Sequence, residues 1–343
     1  MKTTKLLVPS IMSDLPCVDF IHRLGENIDV PNVQILFKHV EFARPTGALM
    51  VSVAIRKYVE TRKAAGLKTF WDQDIRDDCP CSDAVKYLKY MGFFKDCGIP
   101  VGSESNRSRH TDNYYPVQRI EKKKLAEGSS GGDWRDSIEQ KCQSLSALIS
   151  DDLSTQVFLD YVFREIIRNV FEHSGADSCS LMAQNYKNEG LEIAVADHGI
   201  GIHDSLRTRH GFSSARESIQ RSLEPGISKE DVFAQGDSWA NSGFGLYVMS
   251  EVGRTYGEFS VLSSGVYLRR RGNDQTMKVI ASHYRGTVVK LLVGREKLEY
   301  FPNLMEGLIR EGENLYKEKY GSEIKASRSS RTLSRKVPDI GFF

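Results

Sequence analysis

The chain lacks any apolar run approaching ~18 residues, so no segment reads as a transmembrane helix. Its first residues, "MKTTKLLVPSIMSDLP", have too little apolar length after the basic start for a secretory signal. Cysteine is sparse: Cys17, Cys79, Cys81, Cys97, Cys142 and Cys179 are scattered through 343 residues. That argues against a disulfide framework and for reduced thiols, hence a cytoplasmic protein. The one close pair, in "CPC" at 79–81, has no further ligands at metal-site spacing. An excess of one charge is also missing, because 47 basic residues face 45 acidic ones for a net charge of +2. Overall charge therefore selects neither nucleic acid nor an acidic surface as partner. No Gly-Lys-Ser or Gly-Lys-Thr occurs, which excludes a Walker A loop. No internal repeat is visible.

What remains is ordinary for a globular protein: 40 % hydrophobic and 27 % charged residues, with length enough for one to three domains. Residues 1–102 read as a small α/β unit. "VQILFKHV" (33–40) is a buried strand, "EFARPTG" a turn, and "ALMVSVAIRKYVETRKAAG" (48–66) a helix. In that helix Leu49, Val53, Ile55 and Val59 mark the buried face, and Gly66 marks the stop. "LKTFWD" is a second strand, and "CSDAVKYLKYMGFF" a second helix with Ser82 as N-cap.

Residues 103–133 change character and read as a linker, polar in "SESNRSRHTDN" and flexible in "GSSGG", with one short strand in "YYPVQRI". From 134 to 295 two helices precede a run of strands. The strands "CSLMAQNYK", "LEIAVAD", "EFSVLSS", "GVYLRRR", "MKVIASHYR" and "GTVVKLLV" point to an antiparallel sheet and an α+β sandwich. Residues 296–318 form one more helix, and the basic, Ser-rich tail to 343 reads as disordered.

Four short patterns carry chemistry. In the helix 154–174, Glu165, Asn169 and His173 are spaced by four and form one row. That row runs along the edge of the apolar stripe, with Arg168 and Glu172 further toward water. "VADHGIGI" (195–202) ends a strand with Asp197 and follows it with Gly199 and Gly201, which permit close backbone approach and positive φ. It lacks the third glycine of a Rossmann fingerprint, and no helix clearly follows it. "NSGFGLYVMSEV" places Gly243 and Gly245 before an apolar helix from Leu246, where free amides and the helix dipole favour an anion. "RGTVVKLLV" puts Gly286 and Thr287 at the head of a strand. Each pattern alone has a plainer reading: a solvated helix flank, a capped turn, a tightly packed helix start.

In this order the four resemble the ATP-binding domain of the GHKL superfamily, the Bergerat α/β sandwich. That superfamily holds gyrase-type topoisomerases, large heat-shock chaperones, sensor histidine kinases and MutL-type repair proteins. The resemblance runs from Glu165 to Thr287 and implies ATP and Mg²⁺ as ligands. It makes Glu165 the general base, Asn169 the Mg²⁺ ligand and Asp197 the adenine reader flanked by Gly199 and Gly201. Gly243, Gly245 and Leu246 then face the phosphates, Thr287 lies near adenine, and residues 203–242 form a lid. "ExxxNxxxH", with His173, is similar to the anti-sigma-factor serine kinases of that superfamily.

The N-terminal unit resembles a STAS domain, in which a Ser or Thr before a glycine is phosphorylated. Thr46 before Gly47 falls there, although Ala43, Arg44 and Pro45 replace the usual acidic residue. The expectation is Mg²⁺-dependent ATP binding with slow hydrolysis that drives a lid-based switch. A protein partner would dock through the STAS-like unit, and a homodimer is left open. The alternatives are a serine/threonine kinase and a non-hydrolysing nucleotide-sensing module. "YLRRRGNDQ" reads as a solvated hairpin rather than a nucleic-acid contact.

Overall fold

In a computed structural model of the chain, the structure describes residues 3–72, 75–76, 81–102, 114–129, 131–229, 242–294, 301–327 and 331. The described part is an α+β protein built as stacked layers around one large sheet.

The central sheet has seven strands: β6 (Tyr114–Glu121), β7 (Ser178–Tyr186), β8 (Gly190–Asp197), β9 (Gly257–Ser263), β10 (Val266–Arg271), β11 (Asp274–Val279) and β12 (Thr287–Val293). Their spatial order is β11-β10-β9-β12-β8-β7-β6, and every pairing is antiparallel. β12 sits between β8 and β9, so Val289 pairs with Val195 on one side and Val261 on the other. Residues 114–121, read as part of a linker, form an edge strand of this sheet. Pro116 falls where the β6–β7 register shifts, between Tyr115 and Gln118, a position that tolerates a residue without an N–H.

One face of the sheet carries α6 (Trp134–Ile149), α7 (Leu153–Asn169) and α10 (Gly245–Tyr256), and Leu191, Ile193, Val195, Val261 and Leu291 join their apolar sides in one core. α7 starts on Asp152, whose carboxylate accepts from Thr155 N at 2.7 Å. It ends in a π turn over Val170–Ser174, closed by Gly175 at φ +70°.

The opposite face is covered as well. α1 (Asp14–Glu26) and α2 (Pro45–Ala64) lie on Ala194, Ala196, Leu262, Tyr267 and Val288. Beyond them runs a parallel sheet in the order β1 (Thr4–Leu7), β3 (Asn32–Leu36), β5 (Lys68–Trp71), whose Leu6, Val33 and Ile35 enter the same core. α2 is thus clamped between two sheets. From Pro45 to Ile55 every residue is buried, so the single apolar face expected from Leu49, Val53, Ile55 and Val59 is too narrow. The helix starts at Pro45, so Thr46 and Gly47 belong to its first turn rather than to a preceding loop. A Cβ on Gly47 would lie 2.1 Å from the Met12 carbonyl oxygen, which explains glycine there. α1 and β1 are elements that the sequence reading passed over.

Polar side chains stitch the N-terminal layer to the sheet. Arg44 donates to Glu192 at 3.0 Å and to Glu189 at 2.7 Å, and the Thr46 hydroxyl donates to Glu192 at 2.7 Å. Lys290 donates to Asp14 at 3.1 Å and Glu258 at 2.6 Å. Asp96 accepts from Ser52 at 2.6 Å and from Ser180 at 2.7 Å.

Ser82 caps α3 (Asp83–Tyr90) through Val85 N, as its position before an apolar pattern predicts. The helix then stops at Gly92, at φ +79°, and "FF" belongs to a separate short turn, α4 (Phe93–Asp96). α11 (Phe301–Tyr320) follows the sheet, and the tail docks at its start: Ala326 N donates to Glu313, and Ile324 is buried. Residues 332–343 lie outside the described residues. The described cysteines, Cys17, Cys81, Cys97, Cys142 and Cys179, are all free thiols. Among the described residues no helix is long and apolar enough to cross a membrane.

Candidate functional site

A half-open cavity lies between α7, α10 and the ends of β8 and β12, with about 820 Å³ of empty space, part of it solvent at the mouth. Asn169, His173, Asp197, Gly201, Gly243, Gly245, Leu246 and Thr287 all line it. Four patterns far apart in sequence therefore meet around one space of ligand size. Gly199 and Glu165, also candidate residues, do not line it.

The positions follow from local chemistry. β8 alternates Leu191, Ile193 and Val195 toward the helical side, and Asp197 continues that set at the strand end. Its carboxylate accepts from Gly199 N at 2.6 Å and from Thr287 N, while the nearby Ser174 hydroxyl donates to the Val170 carbonyl at 2.8 Å. Burial nonetheless dominates and pushes the Asp197 carboxyl up to about 6, against these hydrogen bonds, which pull it down.

The two glycines of "DHGIGI" differ in purpose. A Cβ on Gly199 would meet Ser174 at 2.4 Å, so that glycine lets the loop touch the end of α7. Gly201 has φ +81°, and a Cβ there would lie 2.1 Å from the Arg285 carbonyl oxygen. Against expectation a helix does follow, since α8 (Gly201–His210) starts at that glycine. Gly286 plays the matching part on the other strand: a Cβ on it would sit 2.2 Å from the Asp197 carbonyl oxygen.

At the far wall Gly243 adopts φ +71° against the backbone of Ile227, and Gly245 opens α10 with no side-chain cap on the helix. Behind it stands Glu165. A Cβ on Gly245 would be 2.2 Å from Glu165 Oε2. Glu165 is 3 % exposed, its Oε1 has no hydrogen-bond partner among the described residues, and Arg164 lies 3.9 Å away. Arg168, expected to point to water, is 2 % exposed and pairs with Glu172 at 2.9 Å. A buried guanidinium is retained here because a carboxylate one turn away satisfies it.

Sequence reasoning missed three contributors. Ser174, brought inward by the π turn, both lines the cavity and packs against Gly199, two residues after Asp197. Ser263 shares a hydrogen bond with the Thr287 hydroxyl at 3.1 Å and accepts from Ile202 N at 2.9 Å. Lys229 brings a cation to the lining. Only Ser174 left a signal, as the polar residue before the helix-closing glycine. The segment read as a lid contains two helices in its described part, α8 and α9 (Ala215–Ser222), which supply Ser205, Leu206 and Ser222 to the wall. Residues 230–241 of it, including "FAQGDSW", lie outside the described residues.

Among the described residues no cluster of three or more His, Cys, Asp or Glu side chains could hold a metal ion. No protein-family model matches the chain, and no curated protein matches it in sequence.

Proposed function

We propose that this cavity binds ATP with Mg²⁺ and that slow hydrolysis there switches the protein between two states. The observation that carries the reading is the meeting of Asn169 and Asp197 on one cavity with the glycine-rich start of α10. Asp197 is a buried acceptor at the end of a strand, suited to the amino group of a purine. The ring would lie against Ile166, Val195 and Ile202, and the Thr287 hydroxyl sits beside it. Uncapped amides of α10 at Gly245 and Leu246 would face the phosphates, with Lys229 as countercharge. The donor set fits Mg²⁺ as an ion held mostly by its nucleotide, because Asn169 offers one amide oxygen and phosphates and water complete the shell.

Glu165 would serve as general base once the first turn of α10, which now packs over its carboxylate, moves aside. Glu165 Oε1, buried and without a hydrogen-bond donor among the described residues although Arg164 lies 3.9 Å away, would accept from a water to be activated. The kinase alternative loses its internal target, since Thr46 is 0 % exposed and locked to Glu192. Titration of the full chain with ATP, with and without Mg²⁺, tests the reading, followed by phosphate release in wild type and in Glu165→Ala. Binding with Mg²⁺ and release lost in Glu165→Ala support it. Binding without release in the wild type reduces the protein to a nucleotide sensor. Absence of binding at millimolar nucleotide rejects it.

A further inference from the structure

A second and larger cleft lies on the other face of the sheet, at its opposite end. The nucleotide cavity reaches Asp197 and Thr287, whereas this cleft reaches Glu258, Leu292 and Gly294, where β9 and β12 begin and end. The start of α1 from Ser13 to Pro16, the β7–β8 turn at Asn188 and Glu189, and β10 complete its walls, around about 1250 Å³ of empty space open to solvent.

Its charges divide into two groups. The inner ones are mutually satisfied. Lys290 is held between Asp14 and Glu258, and Asp14 also accepts from Ser260 at 2.7 Å and Tyr267 at 2.9 Å. Burial works against the Lys290 charge, but Asp14, Glu192 and Glu258 outweigh it and hold its pKa well above the usual lysine range. Arg44 is closed by Glu189 and Glu192. The outer group is not closed. Arg269, half-buried, reaches among the described residues only the Thr276 hydroxyl, at 3.5 Å. Arg271, exposed, makes no ion pair among the described residues, even with Asp274 directly across the β10–β11 ladder. Being two residues apart on β10, the arginines stand on the same face about 7 Å apart. Two guanidinium forks at that spacing, beside a floor whose charges are already paired, match an anion with two separated charged groups. Leu15, Tyr256 and Leu292 offer apolar surface for a short organic body between them.

We propose that this cleft binds a small polyanion, a di- or triphosphate or a polycarboxylate, through Arg269 and Arg271. Such a ligand would bridge β10 to the start of α1 and so tie the N-terminal layer to the sheet. The claim is independent of the nucleotide reading.

Calorimetric titration with pyrophosphate, tripolyphosphate and citrate tests it, using the full chain in an Asn169→Ala/Asp197→Asn background that disables the first cavity. Binding of at least one anion is expected to persist there and to weaken at higher salt. It should fall at least tenfold on adding Arg269→Ala and Arg271→Ala, and recover in part with Arg269→Lys and Arg271→Lys. Circular dichroism checks that each variant is folded, and the same titration of the wild-type chain covers a background that is not. No heat with any of the three at millimolar concentration overturns the proposal. So does binding that ignores both arginines. A phosphate-only or citrate-only response identifies which anion the site takes.

Discussion

The Glu165 carboxylate and the α-carbon of Gly245 are in such close register that no side chain fits between them: a Cβ would lie 2.2 Å from Oε2 and 3.0 Å from Cδ. Gly245→Ala should therefore destabilise the protein by about 1–3 kcal/mol, the usual cost of overpacking a buried position. Glu165→Ala in the same chain should return part of that loss, because it removes the atom that is struck. Urea denaturation of both single variants and the double variant measures the coupling. Additive losses would mean that the two residues do not meet.

Asp197 predicts a pH dependence of known sign. Its carboxyl is raised from 3.8 to about 6 by burial, so the folded chain holds this proton more tightly than the unfolded chain. The resulting stability is fully present below pH about 4, is lost as pH rises through 6, and stays lost above. A shift of about two units corresponds to about 3 kcal/mol. Asp197→Asn should accordingly raise the melting temperature at pH 7.5, with the gain shrinking toward pH 4. If the ionised carboxylate accepts from a purine amino group, wild-type affinity for ATP should fall as pH drops below 6. Thermal melts and titrations across pH 4–8 check both.

Thr46 closes a buried carboxylate. Removing its hydroxyl in Thr46→Val takes one donor from Glu192, which is fully buried, and should cost about 1–3 kcal/mol. Thr46→Asp should cost more, since it sets a second carboxylate beside the first. Mass spectrometry of the folded chain after incubation with ATP should find Thr46 unmodified.

Lys290 neutralises two buried acids at once. Lys290→Met should destabilise by about 3–5 kcal/mol, because Asp14 and Glu258 would lose their shared cation. Equilibrium unfolding reads this directly, and a loss below 1 kcal/mol would show that the pair is solvated.

Much of the helical side of the sheet was legible in the sequence, because the residues of α7, α10 and β8 that enter its core recur at helical or alternating spacing, such as Leu159, Val162 and Ile166 or Leu191, Ile193 and Val195. The residues around the cavity were legible for a different reason: Gly201, Gly243 and Gly286 are positions where backbone meets backbone, and only glycine serves. The second face was harder. Glu192, Ala194 and Ala196 look like the outward set of a half-exposed strand, yet α2 buries them, and a continuous run such as "LEIAVAD" is the mark of a strand covered on both sides. α1 did carry helical spacing at Val18, Ile21 and Leu24, but its neighbours β1 and β2 (Ile11–Met12) are too short to frame it. Arg168 and Glu172 were placed toward water by their angle on the helix, but Arg168 is buried, its charge met by Glu172 one turn on.

The clamping of α2 between two sheets bears on how this protein can be handled. Cutting the chain near residue 102 would strip the lid from a strip of alanine, valine and leucine and leave Glu192, Glu258 and Lys290 facing solvent without Arg44 and Asp14. Either fragment would be a sticky half rather than a domain. Expression trials and any gene fusion should keep the two together.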